Sequence, residues 1–198
     1  MDISTELIKQ LRLETGAGML DVKKALQESG GDPIKAVEIL RKKGLMARAK
    51  KAERAALEGL IDSYIHAGGK IGVMLEINCE TDFVARTDDF KNLAHEISLH
   101  IAAAAPLYVD IDEIPEETLA KEREIAMEQA RAEGKPENVV EKIVEGRLKK
   151  YYEETVLLNQ PYVKNPEQTI GDLLAEYVGR LGENIKIGRF TRYVLGEK

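Results

Sequence analysis

Three features of the sequence predict an α+β fold, a small mainly antiparallel sheet packed with helices. Ile71, Val73, Leu75, Ile77 and Cys79 alternate with Gly72, Met74, Glu76 and Asn78, the period-two pattern of a half-buried strand. Ala67-Gly68-Gly69 separates that stretch from residues 60–66, and glycine supplies the positive φ of a hairpin turn there. Phe90, Leu93, Ala94, Ile97, Ile101 and Ala104 then recur at three- and four-residue spacing, which marks one face of a helix.

Taken in order, residues 1–44 read as three short helices. Ser4 or Thr5 caps the first, with Ile3, Leu7, Ile8 and Leu11 inward, and Thr15-Gly16-Ala17-Gly18 breaks it. The second starts near Met19, turns Val22, Ala25 and Leu26 inward, and stops at Gly30-Gly31. Asp32-Pro33 opens the third, with the acid as cap and proline at the first helical position, and Gly44 is expected to close it. So small a core suits a docking module. Residues 45–58, rich in Ala, Lys and Arg with a thin apolar stripe, read as a helical linker.

Residues 59–198 form the expected α+β core. After the hairpin and its long helix, Pro106 marks a stop and Ile114-Pro115 opens a charged helix. Gly134-Lys135-Pro136 ends that helix and starts the next, so residues 116–154 are predicted to be an antiparallel helical hairpin. Pro161 and Pro166 bracket a short extended piece, Tyr162-Val163-Lys164. Thr169 and Asp172 have reciprocal capping spacing ahead of Ile170, Leu173, Leu174, Tyr177, Val178 and Leu181, and Gly182 ends that helix. Residues 184–195 read as the last strand.

Composition narrows the function classes. Of 198 residues, 32% are charged and 43% apolar, an ordinary balance for a soluble chain, and the longest apolar run, residues 101–105, is far too short to span a bilayer. Met1-Asp2-Ile3-Ser4-Thr5-Glu6 lacks the basic start and apolar block of a signal peptide, so a cytoplasmic address is expected. The net charge of −6 argues against direct nucleic-acid binding, which needs a basic surface. The basic cluster from Arg41 to Arg54 is a local exception and reads as a solvated helical face. The single Cys79 falls on the apolar side of its strand and reads as a core residue.

Chemistry-bearing constellations are scarce. Gly68-Gly69-Lys70 is followed by Ile71 and lacks the upstream glycine of a phosphate loop, and Gly16-Ala17-Gly18 has no preceding strand. His95 and His100 are five apart, on different helix faces, and His66 has no fixed partner, so neither metal nor cofactor is expected. An enzyme is disfavoured. An adaptor built on residues 1–44 alone, and an enzyme using converging carboxylates, remain as alternatives.

The corner Asn78-Cys79-Glu80-Thr81-Asp82-Phe83-Val84-Ala85-Arg86, where strand meets helix, supports two readings. In one it is only a helix start: Thr81 caps, Asp82 meets the dipole and Phe83 packs on the core. In the other Phe83 is a presented wedge for another protein's pocket, with Asp82 at its rim.

Leu11-Arg12 followed by Thr15-Gly16-Ala17-Gly18-Met19-Leu20-Asp21-Val22-Lys23-Lys24-Ala25-Leu26 closely resembles the N-terminal signature of bacterial elongation factor Ts. Asn78 to Ala85 resembles the second signature of that family. His100-Ile101-Ala102-Ala103, Gly134-Lys135-Pro136, Glu145-Gly146-Arg147-Leu148-Lys149-Lys150 and Gln160-Pro161-Tyr162-Val163 are similar to further segments, in order along the chain. Leu20 and Val22 stand where many relatives have Met and Cys, both apolar exchanges.

The resemblance implies a guanine-nucleotide exchange factor for elongation factor Tu, meeting it GDP-bound and nucleotide-free, and a ubiquitin-associated-like fold for residues 1–44. It implies that Asp82 and Phe83, flanked by Thr81 and Val84, enter the GTPase near its magnesium site. It further implies that Met19, Leu20 and Lys23 dock on the nucleotide domain and that His66 touches the partner. With room for one core half, the chain resembles the short form that pairs with itself. The last strand, through Phe190 and Tyr193, is the expected homodimer contact.

Overall fold

The structure, a computed structural model, describes residues 3–197. Met1, Asp2 and Lys198, parts of the expected first and last segments, lie outside the described residues. The fold is α+β, as the sequence predicts. Helices α1 (Thr5–Thr15), α2 (Met19–Glu28) and α3 (Pro33–Lys51) enclose a small core of Ile8, Leu11, Val22, Ala25, Leu26 and Ala36. Ser4 accepts from the Leu7 amide at the start of α1, and Asp32 accepts from the Ile34 and Lys35 amides at the start of α3.

Strands β1 (Glu58–Ile65), β2 (Ile71–Cys79) and β5 (Ile185–Val194) form an antiparallel sheet in the order β1-β2-β5. Val73, Leu75, Ile77 and Cys79 of β2 point into the main core. There they meet Phe90, Leu93, Ala94, Ile97 and Ile101 of α5 (Asp88–Ala104) and Ile170, Leu174 and Val178 of α8 (Ile170–Leu181). Burying such side chains contributes about 1.5–3 kcal/mol each for the larger ones. The other face of the sheet carries Ile61, Ile65, Met74 and Tyr193, all exposed. Helices α6 (Glu116–Ala132) and α7 (Glu137–Thr155) make the hairpin, with a core of their own around Ala126, Ala130, Val140, Val144 and Leu148. No helix among the described residues is long and apolar enough to cross a membrane.

Four local expectations are corrected. Gly44 does not close α3, which continues to Lys51. A Cβ at Gly44 would sit 3.1 Å from the Ala175 carbonyl oxygen of α8, so glycine here permits close approach of two helices rather than a stop. The first half of α3 packs on α1 and α2, and the second half crosses α8. Helix covers the expected linker only as far as Lys51, and residues 52–57 run to β1 without it. The basic cluster is not simply solvated. Arg41 pairs with Asp172 and donates to the Glu167 carbonyl (3.1 Å), Arg48 donates to the Gly171 carbonyl (3.3 Å), and Lys51 donates to the Val178 carbonyl (3.4 Å). The fourth correction lies at Val163-Lys164. These residues are not extended; they form the turn between two-residue β3 (Pro161–Tyr162) and β4 (Asn165–Thr169). The capping box of Thr169 and Asp172 forms as its spacing predicts.

His100 is wholly buried and links three segments. The Val163 amide donates to its Nδ1 (3.3 Å), so the proton sits on Nε2, which faces Gln160 Oε1 at 2.9 Å. Gln160 Nε2 donates in turn to the carbonyls of Glu154 and Ala104. Burial lowers the His100 pKa, and the bond to Gln160 opposes this only in part.

Two outcomes are expected. Gly44→Val should drive α3 from α8 and cost about 1–3 kcal/mol of stability, read from urea melts; an unchanged midpoint would refute the close-crossing account. The His100 ring binds its proton less readily folded than unfolded, where its pKa is about 6.5. Its stabilising contribution is therefore complete above that value and is lost as pH falls through the lower folded value. Urea midpoints taken from pH 7.5 to 5 should fall with pH, with a shallower fall for His100→Gln.

Candidate functional site

The corner after β2 is a single helical turn, α4 (Asp82–Ala85), set between two threonine caps. Thr81 Oγ1 accepts from the Val84 amide (3.4 Å), and Thr87 Oγ1 accepts from the Phe90 amide (3.2 Å) at the start of α5. Thr87 also donates to the Val84 carbonyl at 2.8 Å. Ala85 is buried and Val84 packs at the core edge. Phe83 points the other way and is 78% exposed. The reading in which Phe83 packs on the core is thereby overturned; the buried phenylalanine of this region is Phe90, 0% exposed. Asp82 is half-exposed and pairs with Arg86 one turn on, at 2.8 Å.

The corner is held by residues the sequence reading did not single out. Glu183 Oε2 accepts from the amides of Glu80 and Thr81, each at 3.0 Å, and its Oε1 accepts from the Thr81 hydroxyl at 2.6 Å. Glu80 Oε1 accepts from the Asn184 amide at 2.6 Å and lies 3.5 Å from Arg54. Asn184, itself buried, donates its side-chain amide to the carbonyls of Arg54 (2.7 Å) and Ala52 (3.4 Å), just past α3. Nothing local signals these partners, which stand about a hundred residues apart in the chain. The Cys79 thiol donates to the Thr81 carbonyl (3.2 Å); burial, followed by the nearby Glu183 charge, pushes its pKa up to about 11. It stays a thiol at neutral pH and is a core residue, not a nucleophile.

The remaining expected site residues occupy three other parts of the fold. Met19, Leu20 and Lys23 are exposed at the start of α2, on the side opposite buried Val22, Ala25 and Leu26. His66 lies exposed in the β1–β2 turn, its Nδ1 3.0 Å from the Tyr64 hydroxyl. Of the residues expected on the last strand, Tyr193 is 70% exposed on the outer sheet face. Phe190 packs against the core, as strand alternation requires three residues away. Among the described residues no group of three or more His, Cys, Asp or Glu side chains is placed to hold a metal. A cleft of about 840 Å³ lies between α1 and α8, lined by Arg12, Leu13, Asp89, Tyr177 and Arg180. Arg180 is engaged there by Asp89 and by the face of Tyr177.

Fold and corner together define a protein that offers an aromatic ring and an acid outward from a braced frame, with a separate three-helix unit presenting apolar side chains. The model of the family "Elongation factor TS" matches residues 34–197. The elongation factor Ts of Carboxydothermus hydrogenoformans is 58% identical over 195 residues, 98% of this chain and 90% of that protein. That of Coprothermobacter proteolyticus is 56% identical over 197 residues, the whole of both chains, and that of Moorella thermoacetica 55% over 190 residues, 96% and 94%. The chain belongs to the elongation factor Ts family, a family of translation elongation factors.

Proposed function

We propose that this chain promotes GDP release from elongation factor Tu during translation elongation, by inserting Phe83 and Asp82 beside the magnesium site of the GTPase. The observation that carries the reading is the outward Phe83 on a corner held by hydrogen bonds at Thr81, Val84 and Thr87. Family membership supports it independently.

A GTPase that holds GDP at nanomolar strength has about 12 kcal/mol of binding free energy to overcome. Mg²⁺ demands near-ideal octahedral geometry, so a small displacement of its surroundings weakens the nucleotide. Phe83 supplies an apolar wedge for a gap between helices of the partner. Asp82 brings a carboxylate to the metal's water shell, and its pairing with Arg86 must yield as it does so. Met19, Leu20 and Lys23 dock the three-helix unit on the nucleotide domain, and His66 adds a contact from the hairpin turn. The factor binds the empty GTPase more tightly than the loaded one, and nucleotide weakens the factor by the same ratio. It speeds release without changing the final balance of GDP and GTP, and so acts without turning over a substrate.

In this reading residues 1–44 dock, residues 45–58 connect, and residues 59–198 carry the wedge, with the 116–154 hairpin within them. The chain works in the cytoplasm, without cofactor and without touching nucleic acid or membrane directly. It pairs with itself through the outer sheet face. Support for this pairing is the exposed apolar group of Ile61, Ile65, Met74 and Tyr193, since apolar side chains gathered on one open sheet face mark an interaction surface.

Two measurements test these statements. Phe83→Ala should melt like the parent, because an exposed side chain contributes within about 0.5 kcal/mol. It should slow stopped-flow release of fluorescent GDP from elongation factor Tu about 10- to 30-fold, the rate equivalent of losing an interface anchor. Asp82→Ala should slow it less; a parent-like rate for Phe83→Ala ends the wedge reading. For self-pairing, sedimentation at micromolar concentration should give a dimer for the parent and a monomer for Tyr193→Asp. A monomeric parent, or a dimeric variant, would remove that face from consideration.

A further inference from the structure

We propose that Glu183 is the positioning residue of the wedge: it sets the orientation of Thr81, and through it the turn that aims Phe83 and Asp82. This rests on the exchange reading above.

The topology brings the parts together. Cys79 is paired with Ile185 at the end of the β2–β5 ladder, so the residues leaving β2 and those entering β5 emerge side by side. Gly182, with φ at +79°, ends α8 in the left-handed region and turns the chain back, leaving Glu183 at the sheet end. Its carboxylate then faces three donors and no acceptor: two consecutive backbone amides and one hydroxyl.

The hydroxyl decides the function of the arrangement. Thr81 has one proton to give. Because that proton goes to Glu183 at 2.6 Å, the lone pairs of Thr81 Oγ1 are left to accept from the Val84 amide, the bond that caps α4. A helix of four residues has little cooperativity of its own, so its existence and direction depend on its caps. Phe83 lies between the cap and its acceptor's donor in sequence, and its Cα–Cβ direction follows that turn. Glu80 returns the favour by accepting from the Asn184 amide, and Asn184 fastens the pair to Ala52 and Arg54 beyond α3. The wedge is thus referenced to the end of the helix that carries the docking unit. Misplacement of a working group by about 1 Å can cost on the order of 100-fold in rate.

The charge matters, not only the volume. Glutamine at 183 keeps the size but offers one acceptor oxygen and an NH₂ that meets donors. A role in packing tolerates Glu183→Gln; a role as a triple acceptor does not.

The test compares GDP release from elongation factor Tu at saturating factor for the parent, Glu183→Gln, Glu183→Ala and Phe83→Ala, and for each Glu183 change combined with Phe83→Ala. Thermal melts are recorded in parallel, and amide hydrogen exchange is followed at Glu80, Thr81 and Val84. Both Glu183 variants should lower the maximal release rate about 10-fold, shift the half-saturating concentration less than about 3-fold, and speed exchange of those amides. Combined with Phe83→Ala they should add less than about 2-fold, because the group they aim is already gone. An equal loss with and without Phe83, parent-like rates for either Glu183 variant, or a rescued rate in Glu183→Gln overturns the positioning role while leaving the exchange reading intact. A parent-like rate for Phe83→Ala alone ends the wedge reading, and this inference with it, whatever the Glu183 variants do. Should Glu183→Ala melt before the assay temperature, the isosteric Glu183→Gln decides.

Discussion

The pairing of β2 with β5 is the constraint from which the working end of this molecule follows. It is antiparallel and carries Cys79 opposite Ile185, so two chain reversals must share one end of the sheet. Two such corners crowd backbone amides together with no ladder left to satisfy them. Glu183 and Glu80 answer that need crosswise, each accepting from the other's corner. The same bonds that satisfy the sheet end also hold Thr81 as a cap, and the side chain following Asp82 has nowhere to go but outward. Exposure of a large aromatic is unfavourable for the isolated chain. It persists here because hydrogen bonds on either side fix the backbone that bears it.

A second close fit joins the three-helix unit to this frame. The three-helix core is too small to hold its place by burial alone. It is α3, running on past Gly44, that crosses α8 at backbone contact distance. Around the crossing, Arg41, Arg48 and Lys51 reach carbonyls and a carboxylate of the α8 region. Much of the charge on the basic stretch is therefore spent on geometry. The close α3–α8 crossing thus ties the three-helix unit to the rest of the fold, and residues 52–57 complete the link to β1.

Much was legible in the residues themselves. The alternation from Ile71 to Cys79, the glycine turn before it, the periodic face from Phe90 to Ala104 and the Thr169–Asp172 capping box all formed where their spacing put them. Gly44 reads as a stop in the sequence because a glycine that ends a helix and one that admits a neighbouring helix look alike until the neighbour is known. Val163-Lys164 is ambiguous for a related reason: two prolines bracket a turn as readily as an extended run. Phe83 reads either way in the sequence because a residue in the first turn after a cap serves equally as a core contact or as a presented side chain. Glu183 left no trace, since its partners lie about a hundred residues away.

By itself, then, the sequence determined what depends on near neighbours: periods, caps, hairpins, the order of elements, and the family signatures written into them. Only the tertiary structure decided which phenylalanine faces outward, which glycine is a contact, and which carboxylate grips the corner. Those choices depend on distances between segments far apart in the chain, and such distances exist only once the sheet has closed and α8 lies across α3.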